Sequence, residues 1–290
     1  MEQPRITQAM IDAYDEYTHL TLDRRAFMQK LRTLAGSGAA AAAIAPLLAA
    51  SKAAAEVVPA DDGRLTTTDL TYRGAPSEIK AYAAMPKDAT KLPAVIVIHE
   101  NRGLNNHIKD VTRRMALEGF LAVAPDMLSP SGGTPDDEDK AREMIGAITS
   151  DIYGTNLVAA VEFLKTHPNS TGNVGAIGFC WGGGQVNRLA TLSPDLKAGV
   201  AYYGAQAPAE EVPKISAALM LHYAGLDDRI NKGIDAYKAA LEANKKDFQI
   251  FIYDGVNHAF NNDTSTARYN KEAADLAWSR TVEFLKQKLG

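Results

Sequence analysis

A single cysteine in 290 residues, Cys180, excludes an internal disulfide and leaves the redox compartment unmarked by cysteine usage. No Cys/His cluster has the spacing of a zinc site, so neither a metal nor another cofactor is expected. Basic residues are in slight deficit, 31 against 35 acidic, and the acidic ones are scattered rather than blocked. That balance argues against a nucleic-acid partner and against an acidic tail. The most apolar segment, 34–50, is too short and too rich in Ala and Gly for a stable membrane span. What remains is ordinary for a globular protein: 46% hydrophobic residues, 23% charged and a net charge of −4.

Residues 1–55 read as an extension, and 56–290 as one domain. Arg24-Arg25, then Phe27, an Ala/Gly-rich stretch and the Ala53-Ala54-Ala55 tract before Glu56 resemble a twin-arginine export signal. The implied destination is periplasmic or exported. Asp23 stands where such signals carry Ser or Thr, and the leader holds Asp12, Asp15 and Glu16. The alternative is an uncleaved helical extension of a cytoplasmic protein, packed on the body or on a partner.

From Leu65 the chain alternates strand and helix signals. Leu65–Tyr72 and Ile79–Ala84 alternate apolar and polar residues, as an antiparallel edge hairpin does. Ala94–Ile98 and Phe120–Ala124 are continuous apolar runs, which fit strands covered on both faces. Further strands are expected over Val174–Ile177, Ala198–Tyr202, Ala218–His222 and Gln249–Tyr253. Helices are expected over Ile108–Leu117, 137–148, Leu157–Lys165, Gly183–Thr191, Asp235–Ala243 and 267–289. Such alternation predicts an α/β fold with a mostly parallel central sheet and helices on both faces.

In such a sheet, chemistry gathers at the carboxyl ends of the strands. Gly178-Phe179-Cys180-Trp181-Gly182 has the form of a nucleophile elbow, a sharp strand-to-helix turn whose glycines tolerate crowding and leave the central side chain exposed. Asp227 follows the Ala218 strand, His258 the Gln249 strand and Glu100 the Ala94 strand. Nucleophile, acid and histidine come in the order of an α/β-hydrolase triad. His258 serves as base, Asp227 fixes its tautomer, and the helix beginning after Cys180 favours thiolate through its dipole. The backbone N–H groups of Trp181 and Asn101 are the expected oxyanion donors. His99 and His222 flank the site, and Tyr203 and Trp181 form apolar walls, which a pocket for a flat or unsaturated ring would use.

The segments V-I-V-I-H-E-N-R-G (95–103), V-A-P-D (123–126), G-F-C-W-G-G-G (178–184), G-L-D-D (225–228) and G-V-N-H-A-F (255–260) resemble the dienelactone hydrolases, or carboxymethylenebutenolidases, from about Thr66 to the C-terminus. The resemblance implies an α/β-hydrolase whose cysteine attacks a lactone carbonyl. It favours Asp227 over Asp228 as triad acid, and makes Glu100 a carboxylate that helps to generate thiolate. Members that act in chlorocatechol breakdown carry an arginine shortly after the segment ending in Phe260; Asn262 stands there in this chain. Arg142, Arg102 and Arg229 are the remaining candidates to grip a substrate carboxylate. A broad carboxylesterase is the alternative within enzymes. A non-hydrolytic binding or redox-thiol protein on the same fold is the alternative of another class.

Overall fold

The continuous apolar runs become the middle of one eight-stranded sheet in the computed structural model, which describes residues 5–19, 21–49 and 56–290. Three N-terminal helices come first: α1 (Gln8–Thr18), α2 (Arg24–Ala35) and α3 (Gly38–Leu48). The hairpin β1 (Leu65–Arg73) and β2 (Glu78–Pro86) follows, then β3 (Leu92–Ile98), α4 (Asn106–Leu117) and β4 (Leu121–Pro125). Helices α5 (Glu138–Ala147) and α6 (Ser150–Thr166) lead to β5 (Ser170–Phe179), α7 (Trp181–Leu192) and β6 (Ala198–Tyr202). The chain closes with β7 (Ala218–Ala224), the short α8 (Asp228–Asn231), α9 (Ile234–Ala243), β8 (Phe248–Tyr253) and α10 (Lys271–Leu289).

The strand order is β1-β2-β4-β3-β5-β6-β7-β8. The expected hairpin is antiparallel, β2 also pairs antiparallel with β4, and every pair from β4 through β3 to β8 is parallel. Strand β3 shows why a continuous apolar run is needed. Ala94, Ile96 and Ile98 pack on one face with α5, α6, α7 and α9, while Val95 and Val97 pack on the other with α4 and α10. Each such fully buried Val or Ile contributes roughly 1.5–3 kcal/mol.

Element boundaries depart from the sequence reading where glycine misleads. Helix α6 starts at Ser150, a full turn and more before Leu157, and runs through Gly154. A Cβ at Gly154 would lie 2.6 Å from Leu192 Cδ1, so that glycine serves close packing against α7 rather than ending a helix. Helix α7 likewise begins at Trp181 rather than Gly183, and α10 begins at Lys271, after a loop that the sequence reading counted as helix.

The N-terminal helices bury a small core of their own, built from Met10, Ile11, Tyr14, Tyr17, Phe27, Leu31, Ile44 and Leu48. Asp23 accepts from the Ala26 N–H at 2.7 Å and so caps α2, which accounts for an acidic residue just before the paired arginines. The Ala53-Ala54-Ala55 tract falls outside the described residues. Among the described residues no single helix is long and apolar enough to cross a membrane. Leu31 is fully buried in the N-terminal core, so Leu31→Ala is expected to cost that core about 2–5 kcal/mol. Hydrogen exchange should then speed up in α1–α3 while amides of β3 and β5–β7 keep their protection; uniform loss of protection would show that the two cores unfold as one.

Candidate active site

Strand β5 ends at Phe179, and Cys180 carries the turn into α7 with φ +56° and ψ −116°, a left-handed backbone that a residue with a side chain adopts only under constraint. The glycines on either side supply the constraint. A Cβ on Gly178 would lie 2.2 Å from the Gly182 carbonyl oxygen, and one on Gly182 would lie 2.4 Å from that of Ile98. The elbow is therefore clamped between its own helix and the end of β3, and the thiol is thrust to the sheet's carboxyl edge. The backbone is fixed there by the Cys180 N–H, which donates to Tyr202 O at 3.0 Å.

Asp227 and His258 meet at that edge from the loops after β7 and β8. His258 Nδ1 lies 2.5 Å from Asp227 Oδ2, while Asp227 Oδ1 accepts from the Ile230 N–H at 3.2 Å and so also caps α8. That double duty fixes the carboxylate. His258 Nε2 is buried and makes no hydrogen bond among the described residues. Its ring packs against Tyr203 at 4.9 Å.

The third partner of the thiol comes from the N-terminal extension. His19, just past the end of α1, brings Nε2 to 3.4 Å from Cys180 Sγ, and its ring meets that of His258 edge-on at 4.8 Å. Tyr14 Oη accepts from Arg102 at 2.8 Å, Tyr17 Oη donates to Asp139 at 2.6 Å, and Asn101 Nδ2 donates to Thr18 O at 2.6 Å. Arg229 Nη2 donates to His19 Nε2 at 2.9 Å and lies 3.8 Å from Asp15.

Charge inside this cluster decides protonation. Burial alone would raise the Cys180 thiol, but the charges of His258 and His19 outweigh it and bring the thiol down to about 6. Burial opposes charge on His258 too, yet Asp15, the Cys180 sulfur and Asp227 raise it well above its ordinary value. Asp227 is held below the usual carboxylate range because His258 and Arg229 outweigh its desolvation. The resting site is thus arranged for thiolate beside imidazolium.

The donor atoms of His19, Cys180 and His258 fall within 4.8 Å of one another, close enough to raise the question of a metal ion. The Arg229 guanidinium, already donating to His19 Nε2, puts a fixed positive charge in the space such an ion would need.

The remaining expected residues divide. Cys180, Trp181, Asn101, Arg142, Tyr203, Arg229 and His258 line one cavity of about 670 Å³. Arg102 and Phe260 do not: Arg102 is buried against Tyr14 and Glu138, and Phe260 is wholly buried among Tyr202, Tyr203 and Tyr253. Asn262 also faces inward, donating to Glu100 Oε2 at 2.9 Å, and no hydrogen bond joins Glu100 to Cys180. His99 is structural, with Nδ1 bonded to Glu100 O at 2.6 Å and its ring stacked on Trp181. His222 is structural too, and burial lowers it to about 3. Asp15 and His19 were missed by the sequence reading. Their only signal was Met10, Ile11, Tyr14 and Tyr17 at helical spacing, with aromatic rings out of character for a leader.

The sheet, the elbow after β5, and the acid and histidine after β7 and β8 define an α/β-hydrolase. The dienelactone hydrolase family model matches residues 79–289, and the chain belongs to that family of hydrolases. Similar chains include a "Putative carboxymethylenebutenolidase" of Synechocystis sp., 33% identical over 244 residues, covering 78% of this chain and 98% of that one. Another of the same name, from Saccharolobus solfataricus, is 31% identical over 257 residues, covering 76% and 98%. The crystal structure of a "Putative Dienelactone Hydrolase" from Klebsiella pneumoniae superposes with a TM-score of 0.69 at 27% identity, over 77% of this chain and 99% of its own.

Alkylation of Cys180 by iodoacetamide should be half-maximal near pH 6, well below the ordinary thiol value of about 8.5. The rate is expected to fall as pH drops through that midpoint and the thiolate is protonated. In His258→Ala the midpoint should move up, because the thiolate loses a cation; a native midpoint near that of a free thiol would contradict the charge arrangement.

Proposed function

We propose that this dienelactone-hydrolase-family enzyme cleaves a small carboxylic ester or lactone through Cys180, His258 and Asp227, by way of a covalent thioester. The observation that carries the reading is the thiol itself, held on a strained elbow, flanked by imidazoles and open to a cavity. In this scheme the thiolate attacks the substrate carbonyl carbon. The carbonyl electron pair moves to oxygen, and the N–H groups of Trp181 and Asn101 stabilise it. Collapse breaks the ester C–O bond, and the departing oxygen takes the His258 Nε2 proton. Neutral His258 then takes a proton from water as the water oxygen attacks the thioester; collapse releases the acid and returns thiolate beside imidazolium. Asp227 keeps the imidazole oriented and stabilises its charged form.

For residues 1–55 we propose the uncleaved extension, supported by the bonds of Tyr14, Tyr17 and Thr18 to the body. An exported destination rests on Arg24 and Arg25. Sequencing the N-terminus of protein from its native cell tests this, and a chain beginning at Glu56 would refute it.

Cys180→Ala should abolish ester turnover, and His258→Ala should lower it by roughly 10²–10⁴-fold. Mass spectrometry of wild-type enzyme quenched during turnover should find one acyl group on Cys180. Turnover that survives in Cys180→Ala would defeat the triad reading. The ratio of kcat/KM for a dienelactone to that for p-nitrophenyl esters then separates a lactonase from a broad carboxylesterase.

A further inference from the structure

The region around the thiol holds two acid–histidine pairs, and the scheme above uses only one. Asp227 and His258 come from the loops after β7 and β8; Asp15 and His19 come from the end of α1, four residues apart and on one helical face. The second pair is looser than the first, whose ring nitrogen and carboxylate lie 2.5 Å apart. His19 Nδ1 lies 2.7 Å from Asp15 O and 3.4 Å from Asp15 Oδ2, so this nitrogen carries the hydrogen. Arg229 has no acceptor, and its Nη2 lies 2.9 Å from His19 Nε2, so that nitrogen carries the lone pair in the neutral ring. The same lone-pair nitrogen lies 3.4 Å from Cys180 Sγ. His258 Nε2, by contrast, is buried and unbonded among the described residues.

We propose that His19 is a catalytic residue of this enzyme: in the resting site it holds the proton given up by the Cys180 thiol, leaving His258 to serve the leaving group and the hydrolytic water. The proposal rests on the thiol-nucleophile reading. The S–H bond breaks with its electron pair left on sulfur, and an N–H bond forms on His19 Nε2 as Arg229 Nη2 gives up that nitrogen and turns to Asp15, 3.8 Å away. When the thioester later collapses, thiolate departs beside the His19 imidazolium, which can return the proton. Glu100 does not fill the role in this arrangement, because it makes no hydrogen bond to Cys180, whereas His19 Nε2 lies 3.4 Å from the sulfur. The groups facing His19 are Asp15 from its own helix, Cys180 from the elbow, Arg229 from α8 and His258 from the loop after β8. Arg268 lies 3.7 Å from Asp15 and helps hold the acid.

The test uses the full-length protein and two variants, His19→Gln and His19→Ala, with p-nitrophenyl acetate as substrate and iodoacetamide as thiol probe. Neither glutamine nor alanine can accept the proton. We expect kcat to fall by roughly 10²-fold with KM changed far less, and the alkylation midpoint to rise by a pH unit or more. Added imidazole should restore part of the turnover of His19→Ala. A folded variant, checked by its thermal transition, with unchanged kcat and an unchanged alkylation midpoint overturns the proposal. So does a rise in turnover, which would make His19 a plug over the thiol, and so does a loss of kcat with no shift in midpoint, which would make it a structural anchor. Cys180→Ala and His258→Ala run alongside: if they lose activity while His19→Gln keeps it, only the role of His19 fails; if Cys180→Ala keeps activity, the underlying reading fails.

Discussion

The close approach of β3, β5 and the start of α7 is the constraint from which the site follows. Two glycines let three backbones come together where no side chain fits, and the positive φ of Cys180 is the consequence. A backbone conformation of this kind costs about 1–3 kcal/mol and persists only because the surrounding sheet over-determines it. In return the thiol occupies a fixed point at the carboxyl edge, at the first turn of α7, whose early N–H groups lack helical partners. Loops after β7 and β8, in parallel register with the elbow strand, bring Asp227 and His258 to that point. The strained residues elsewhere near the site, Tyr203 and Ala259, sit beside the same histidine.

Burying charge so close to that point is costly unless the charges offset one another. The cluster alternates: thiol, His258 and Asp227 on the body, His19 and Asp15 on the extension, with Arg229 and Arg268 between them. Asp15, the Cys180 sulfur and Asp227 together raise His258. The extension therefore does more than cover the cavity mouth. Asp15 raises His258 and the charge of His19 lowers the Cys180 thiol, so the electrostatics of the site span two parts of the chain.

The elbow was legible in the sequence because its requirement is local: glycine, nucleophile and glycine at fixed spacing, after an apolar run. Asp227 and His258 were legible for the same reason, each just past a strand. The central strands could be read because buried parallel strands need unbroken apolar runs, and Ala94–Ile98 and Ala218–Leu221 have them; the β1–β2 hairpin showed itself by alternation instead. Legibility fails where packing between distant segments decides. The first two turns of α6, Ser150–Asn156, escaped the periodicity, and Gly154 among them packs closely against Leu192 of α7. Arg102 sits in a site loop, yet Tyr14 and Glu138 claim its guanidinium. Asp15 and His19 stayed hidden because composition assigned their segment to a leader, and periodicity says nothing about which surface a helix will meet.

The same logic bears on the kind of acyl group the cavity suits. Four cations line it, and each faces a carboxylate of this chain: Arg142 with Asp139, Arg188 with Asp151, Lys214 with Glu211 and Arg229 with Asp15. Asn262, standing where a substrate-gripping arginine would be expected, faces Glu100 instead of the cavity. An anionic substrate would have to take a guanidinium from an existing partner, and the gain from a bidentate pair would shrink by what that partner loses. Arg229 is the exception, since its contact with Asp15 is long at 3.8 Å and its side chain is about a third exposed. Any carboxylate accepted there would sit beside His19 and weaken the hold of Arg229 on the His19 lone pair, coupling substrate charge to the state of the thiol. A neutral ligand makes no such demand, since Trp181 and Tyr203 in the cavity lining carry no charge to be taken from a partner.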